Sequence, residues 1–243
     1  MKKMQLTLLS LFIGFSTFAQ TKKIDTLAVS VLDRMSDVIG ELSSVSFTTK
    51  TRNDEMNQDL GLITHFTTNQ VYFNGPSQML VRAESDKVNK GYWYNGKQLV
   101  YYSFSENNYA VIETPETTIE MIDEVNDKYG VDFPAADFFY PTFTDDVLKN
   151  YDELKFAGLR KIEGKDCFYI IARNKEMSVQ LWIANDAYTL PVKMIIMYHS
   201  TKNEAKQYEA TFSNWEINPF LPAEIFNFQP PPKAKEILIK PRK

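Results

Sequence analysis

The spacing of apolar positions changes several times along the chain. From Ile24 to Leu42 it is helical: Leu27, Val31, Met35, Val38, Ile39 and Leu42 form one stripe, and Asp33, Arg34, Asp37 and Glu41 lie off it. Asp25 is the expected N-cap. From Val45 the pattern shortens to runs of β-branched and aromatic residues separated by turn residues, which predicts strands. These fall at Val45–Thr51, Ile63–Phe73, Gln78–Glu84, Gly91–Tyr94, Gln98–Phe104 and Tyr109–Glu113. Asn74-Gly75-Pro76 and Asn95-Gly96 mark hairpin turns, so the strands form an antiparallel meander. The helical period then returns. Thr114-Pro115-Glu116 has the form of a helix start, Ile119, Ile122, Val125 and Tyr129 give an apolar face, and Gly130 ends it. Shorter helical pieces follow at 134–140 and 144–151, so the segment 115–150 reads as a helical insert. Strands resume at Leu154–Ile162, Asp166–Arg173, Ser178–Ile183, Val192–Tyr198 and Gln207–Ile217, with a turn at Glu163-Gly164-Lys165.

This order predicts an α+β, mainly β fold: a curved antiparallel half-barrel sheet of about ten to eleven strands with an N-terminal helix and a helical lid. Composition agrees, since 14% of the 243 residues are aromatic (17 Phe, 13 Tyr, 3 Trp) against only 9 Gly, which favours pleated, half-buried surfaces. With 2 His and 1 Cys, zinc clusters and disulfide scaffolds are not expected.

The first residues carry an address. Lys2 and Lys3 precede an apolar stretch from Leu6 to Phe18, and Thr17-Phe18-Ala19 has small residues where a signal peptidase reads. The stretch falls short of the about 20 apolar residues that span a bilayer. Residues 1–19 are therefore expected to be a cleaved signal peptide, residues 20–229 a single half-barrel domain, and residues 230–243 a basic tail. Cys167, the sole cysteine, lies far from the cleavage site, so the mature chain should be unlipidated and periplasmic. Cleavage removes two lysines, leaving 25 basic against 31 acidic residues and a net charge of −6. Such a balance argues against nucleic acid as a partner. In the tail, Lys233, Lys235, Lys240, Arg242 and Lys243 face Glu236 alone. The tail could touch anionic lipid as a peripheral membrane contact, or Ile237-Leu238-Ile239 could pair with a sheet edge. The second reading is favoured. Lys193 and Lys206 are candidates for blunting exposed edges, and a monomer is expected.

Familiar catalytic patterns are missing from the sequence, including G-x-S-x-G, H-E-x-x-H and the phosphate-binding loop. His65 and His199 stand singly on strands and read as surface or core residues. Glu116, Glu120, Asp123, Glu124 and Asp127 read as the solvated side of a helix, without the glycine turn of a calcium loop. Cys167 reads as a small core hydrophobe on a buried strand. No enzyme activity, cofactor or metal is expected.

Several segments carry a resemblance. Tyr92-Trp93-Tyr94-Asn95-Gly96-Lys97-Gln98-Leu99, Tyr129-Gly130-Val131-Asp132-Phe133-Pro134 with Phe138-Phe139, the run from Leu159 to Cys167, and Phe226-Asn227-Phe228-Gln229-Pro230-Pro231 together resemble domain of unknown function 2092, a predicted periplasmic family. That family is similar to the lipoprotein-carrier superfamily of LolA, LppX and the amino-terminal domain of RseB. The resemblance implies a half-closed sheet whose concave side is plugged by helices and can accept acyl chains. It therefore implies a non-enzymatic binding protein or carrier for an apolar ligand, such as a lipid or lipoprotein acyl chain. The alternative it implies is an envelope interaction or stress-sensor module of RseB type, whose partner is a protein and whose interior is filled. A ligand cavity of roughly 300–1,000 Å³ is expected. Its expected lining is Phe66, Trp93, Tyr101, Ile119, Ile122, Phe138, Phe139, Trp182 and Phe212, with Phe138-Phe139-Tyr140-Pro141 as the lid.

Overall fold

A computed structural model describes residues 22–133, 135–199 and 206–242; residues 1–19, expected to be a signal peptide, lie outside the described residues. Asp25 caps helix α1 (Thr26–Gly40) through a 2.9 Å bond from the Leu27 amide to Oδ1. Its other oxygen accepts from the Phe156 amide at 3.2 Å, tying the helix start to a strand. Ala28, Val31, Leu32, Met35 and Ile39 form the buried stripe, whereas Leu27 is exposed.

A single sheet follows, with order β1-β8-β9-β10-β11-β12-β2-β3-β4-β5-β6-β7-β13. Its first meander comprises β2 (Ser44–Asn57), β3 (Gly61–Asn74), β4 (Gln78–Ser85), β5 (Lys90–Tyr94), β6 (Gln98–Ser103) and β7 (Asn108–Glu113). The second comprises β8 (Glu153–Ile162), β9 (Lys165–Arg173), β10 (Met177–Ala184), β11 (Pro191–Tyr198) and β12 (Gln207–Ile217). Antiparallel pairing of β12 with β2 joins the two.

The sheet has thirteen strands, so the expected ten to eleven is corrected. The additional two are two-residue edge strands, β1 (Lys23–Ile24) and β13 (Lys235–Glu236), which pair in parallel with β8 and β7. Strands this short carry no legible period. Lys193 is also placed differently: it lies on β11, between β10 and β12, and pairs with Glu209 across the sheet, so it guards no edge.

Helix α2 (Thr118–Tyr129) begins three residues later than Pro115. Its real start is capped by Thr117, whose Oγ1 accepts from the Glu120 amide at 3.3 Å while its hydroxyl donates to Glu120 Oε2 at 2.7 Å. Tertiary contacts hold the preceding turn out of the helix. Tyr94 Oη donates to the Pro115 carbonyl at 2.7 Å, and the Thr118 amide donates to the Pro76 carbonyl at 2.9 Å. Gly130 ends the helix at φ 62°. A 3₁₀ turn (Ala136–Phe139) and helix α3 (Phe143–Asn150) complete the insert. Because β7 and β8 lie near opposite edges of the sheet, the insert has to cross the sheet to connect them.

Each face of the sheet is covered differently. Helix α1, the insert and the inward residues of β2–β6, β9, β10 and β12 build the main core on the concave side. On the outer face of β4–β6, Leu80, Trp93, Val100 and Tyr102 are covered by Phe226 and by Leu221, Ile225, Phe228 and Ala234 of the C-terminal strap. Gly91 makes this possible, because a Cβ there would stand 2.5 Å from the Trp93 indole. The end of the chain is docked. Ile237 donates to the Tyr109 carbonyl at 2.8 Å, and Arg242 bonds the carbonyls of Lys128 and Gly130, placing a cation at the C-terminus of α2.

Candidate functional site

A cavity of ≈ 1140 Å³ lies between the concave face and the insert, slightly above the expected range. One wall is apolar and built by period-2 alternation: Ile170 and Ala172 on β9, Val179 and Leu181 on β10, Met194 and Ile196 on β11. The facing wall comes from Ile122 of α2, Phe133, Phe138 of the 3₁₀ turn, and Phe143 and Val147 of α3. Helix α1 contributes Leu32.

The floor on β2 and β3 is polar. Thr51 faces Thr67 across the strands, with the Thr51 hydroxyl donating to the Thr67 carbonyl at 3.3 Å. Asn69, 3% exposed, bonds Thr49 at 3.0 Å through one end of its amide. Lys90, the aspartates 123, 127, 132, 137 and 146, and Tyr92, Tyr140, Tyr151, Tyr198 and Tyr208 also line the cavity. Tyr140 Oη donates to Asp123 at 2.6 Å, Thr142 Oγ1 donates to Asp146 at 2.7 Å, and Asn126 donates to Asp132. Among the described residues, none of these aspartates pairs with a basic side chain.

Asp137 keeps contact with solvent but is hemmed in by protein, which raises its carboxyl above the usual range, and Asp132 and Asp146 raise it further. Burial likewise pushes the Tyr92 phenol up to about 12 and raises that of Tyr208. A raised folded-state pKa means that the fold takes up a proton more readily than the unfolded chain, so this group costs stability as pH rises from its unfolded pKa through its folded one. Asp137→Asn is therefore expected to melt higher than the wild type at about pH 7, the gain closing below about pH 3.8, where both side chains are neutral. Thermal unfolding across that range checks it; identical curves would show that Asp137 is fully solvated.

The nine expected lining residues divide into three groups. Phe138 and Ile122 line the cavity. Tyr101, Ile119, Phe139 and Phe212 are on the concave side but off the large space. Phe139 stacks on Phe47 at 6.0 Å and, with Ile119, borders a void of ≈ 30 Å³, while Phe212 packs on Phe47 and Phe138, and Tyr101 on Tyr92. These are plugs. Phe66, Trp93 and Trp182 are corrected, because strand parity turns them to the outer face. Phe66 is 59% exposed, Trp93 lies under the C-terminal strap, and Trp182 stacks on Tyr169 at 4.7 Å.

Rings that pack on one another close off the rest of the concave side, and the cavity remains where the aliphatic wall of β9–β11 meets the polar floor of β2 and β3. The period-2 positions of β9–β11 were the available signal for this wall. Asp123 and Asp127, read as a solvated helix side, are exposed and also border the cavity. Glu124 does pair outward with Lys128, at 2.9 Å.

Neither histidine lines the cavity. His65 Nδ1 lies 2.8 Å from Asp86, whose carboxyl that bond holds below its usual range, and His199 Nδ1 contacts the Lys175 carbonyl at 3.2 Å. Cys167 is fully buried among Ala184 and Val192 on the outer face, and burial raises its thiol.

A curved open sheet with helices across its concave side and a cavity beneath them defines a helix-plugged half-barrel. Mycobacterium tuberculosis lipoprotein LppX shares this fold, with a TM-score of 0.50 at 15% identity over 82% of this chain and 99% of that one. The chain belongs to the family described as "Predicted periplasmic protein (DUF2092)", whose model matches residues 28–240. The protein is accordingly periplasmic. Weaker similarity extends to an uncharacterized conserved protein from Thermus thermophilus (TM-score 0.48, 12% identity, 87% and 98% of the two chains). A LolA superfamily protein from Nitrosomonas europaea is also similar (TM-score 0.35, 12% identity, 83% and 97%). No curated protein matches the sequence. Among the described residues, no helix is long and apolar enough to cross a membrane.

Proposed function

We propose that this protein is a periplasmic, non-enzymatic binding protein or carrier that holds the apolar chain of a lipid or lipoprotein in its cavity. The observation that carries this reading is the ≈ 1140 Å³ space against the alternating aliphatic wall of β9–β11. Without a ligand that aliphatic wall faces water, and covering it with an apolar chain removes its surface from water. Each buried methylene adds about 0.8 kcal/mol, so a chain lying along that wall binds usefully without any covalent step. A sensor module with a filled interior fits this cavity less well. Residues 20–229 act together as one binding domain in this reading.

Native mass spectrometry of the mature protein, purified from a periplasm without detergent, tests it. A co-purifying mass that is lost on denaturation and extracted by organic solvent is the expected result. A clean apo mass, with no uptake of added fatty acid, monoacylglycerol or phospholipid, would overturn the reading.

A further inference from the structure

The C-terminal strap does not end on the outer face. After covering Trp93 and Tyr102 it passes over the β7 edge as β13, and its final arm, residues 237–242, reaches helix α2 on the concave side. There the Arg242 amide donates to the Lys128 carbonyl at 2.7 Å, and the guanidinium donates to the Gly130 carbonyl at 2.9 Å. The guanidinium lies where a side chain at 130 would begin: a Cβ on Gly130 would stand 1.4 Å from its central carbon. Gly130, at φ 62°, therefore serves twice, as the helix terminator and as the seat for the arm. Between this seat and Ile237, which bonds Tyr109, the arm spans solvent, with Leu238 93% exposed and Lys240 and Pro241 exposed too.

What the arm holds is the rim of the cavity. Residues 126–132 are exposed or half-buried throughout, yet Asn126, Asp127, Val131 and Asp132 all border the cavity. The two ends of α2 are fastened differently. Its start is tied to the β3–β4 and β5–β6 turns by the bonds of Thr118 to Pro76 and of Thr114 to Lys97, and Met121 and Val125 anchor its middle in the core. Among the described residues, the hydrogen bonds that reach its last turn from a distant part of the chain come from Arg242 alone. From this we infer that the C-terminal arm is a latch: Arg242 holds the rim at 126–132 down over the cavity, and its release opens an entrance there for an apolar chain. The inference rests on the proposed binding role and adds how that same cavity is opened. The Gly130 bond is charge-assisted and sits at the negative end of a helix dipole, which favours the closed state. Arg242 is exposed, so water competes for its donors and the preference stays at roughly one order of magnitude. A contact of that strength keeps the rim shut on average and still lets it lift.

The test compares the mature protein with Arg242→Ala and with a chain that ends at Lys240. Hydrogen–deuterium exchange is expected to quicken about tenfold in the amides of residues 126–133 and to stay unchanged in α1 and β9–β11. Association and dissociation of a fluorescent acyl probe should quicken together by a similar factor, leaving Kd within about twofold, since a latch changes access more than contact. Lys240→Ala, in the part of the arm that spans solvent, should change neither. Exchange that is unchanged at 126–133 in both variants overturns the latch. Faster exchange with unchanged probe rates also overturns it and leaves Arg242 as a helix cap alone. If the probe does not bind, the binding role fails and the gate with it, while exchange still reports whether the arm clasps the helix.

Discussion

Replacing Ala172 with tryptophan is expected to abolish uptake of an apolar probe while the protein stays folded. Ala172 is buried on β9, and its methyl faces the cavity between Ile170 and the neighbouring wall of Val179 and Leu181. An indole there projects into empty space, so the overpacking that usually penalises small-to-large changes is avoided. It would displace about four methylenes of bound chain, worth about 3 kcal/mol, or roughly a hundredfold in affinity. Fluorescence titration reads the loss, and circular dichroism with thermal unfolding reads the fold. Unchanged affinity with a native fold would mean that the probe binds elsewhere, and the cavity would lose its assignment.

The opposite face should respond in the opposite way. Phe226 is 1% exposed and fills the outer cluster beneath the C-terminal strap, against Leu80, Trp93, Val100 and Tyr102. Phe226→Ala is expected to cost about 3–5 kcal/mol, since it leaves a cavity in a packed apolar cluster. Chemical denaturation measures this, and Trp93 emission should shift to the red as the strap loosens. Probe affinity below the unfolding transition should hardly change, because the strap and the cavity lie on opposite sides of the sheet. A loss of less than about 1 kcal/mol would show that the strap is dispensable to the sheet.

Much of the fold is readable from local pattern. Eleven strands, β2–β12, follow the alternation of their own residues, and α1 follows its stripe and the Asp25 cap. These signals are local because side-chain direction is set by backbone period. The start of α2 is less so. Thr114-Pro115-Glu116 has good local chemistry for a helix start, yet bonds from Tyr94 and to Pro76 hold that turn outside the helix. Edge strands β1 and β13 depend wholly on partners far away in sequence.

The candidate site was harder to read, and the aromatics show why. Trp93 and Tyr94 are neighbours on one strand and equally greasy, but Trp93 packs beneath the strap and Tyr94 in the concave core. Alternation says that they face opposite ways; it does not say which face is concave. Phe138 and Phe139 are likewise adjacent, one lining the large cavity and the other plugging the core against Phe47 and Phe73.

The sequence by itself determined the periods, the caps, the order of elements and the family to which they belong. Only the tertiary structure decided which face curves inward, where the insert crosses, and where rings leave a space unfilled. Packing is a property of residues brought together from distant strands, and a void is defined by what does not reach it. No local pattern encodes that.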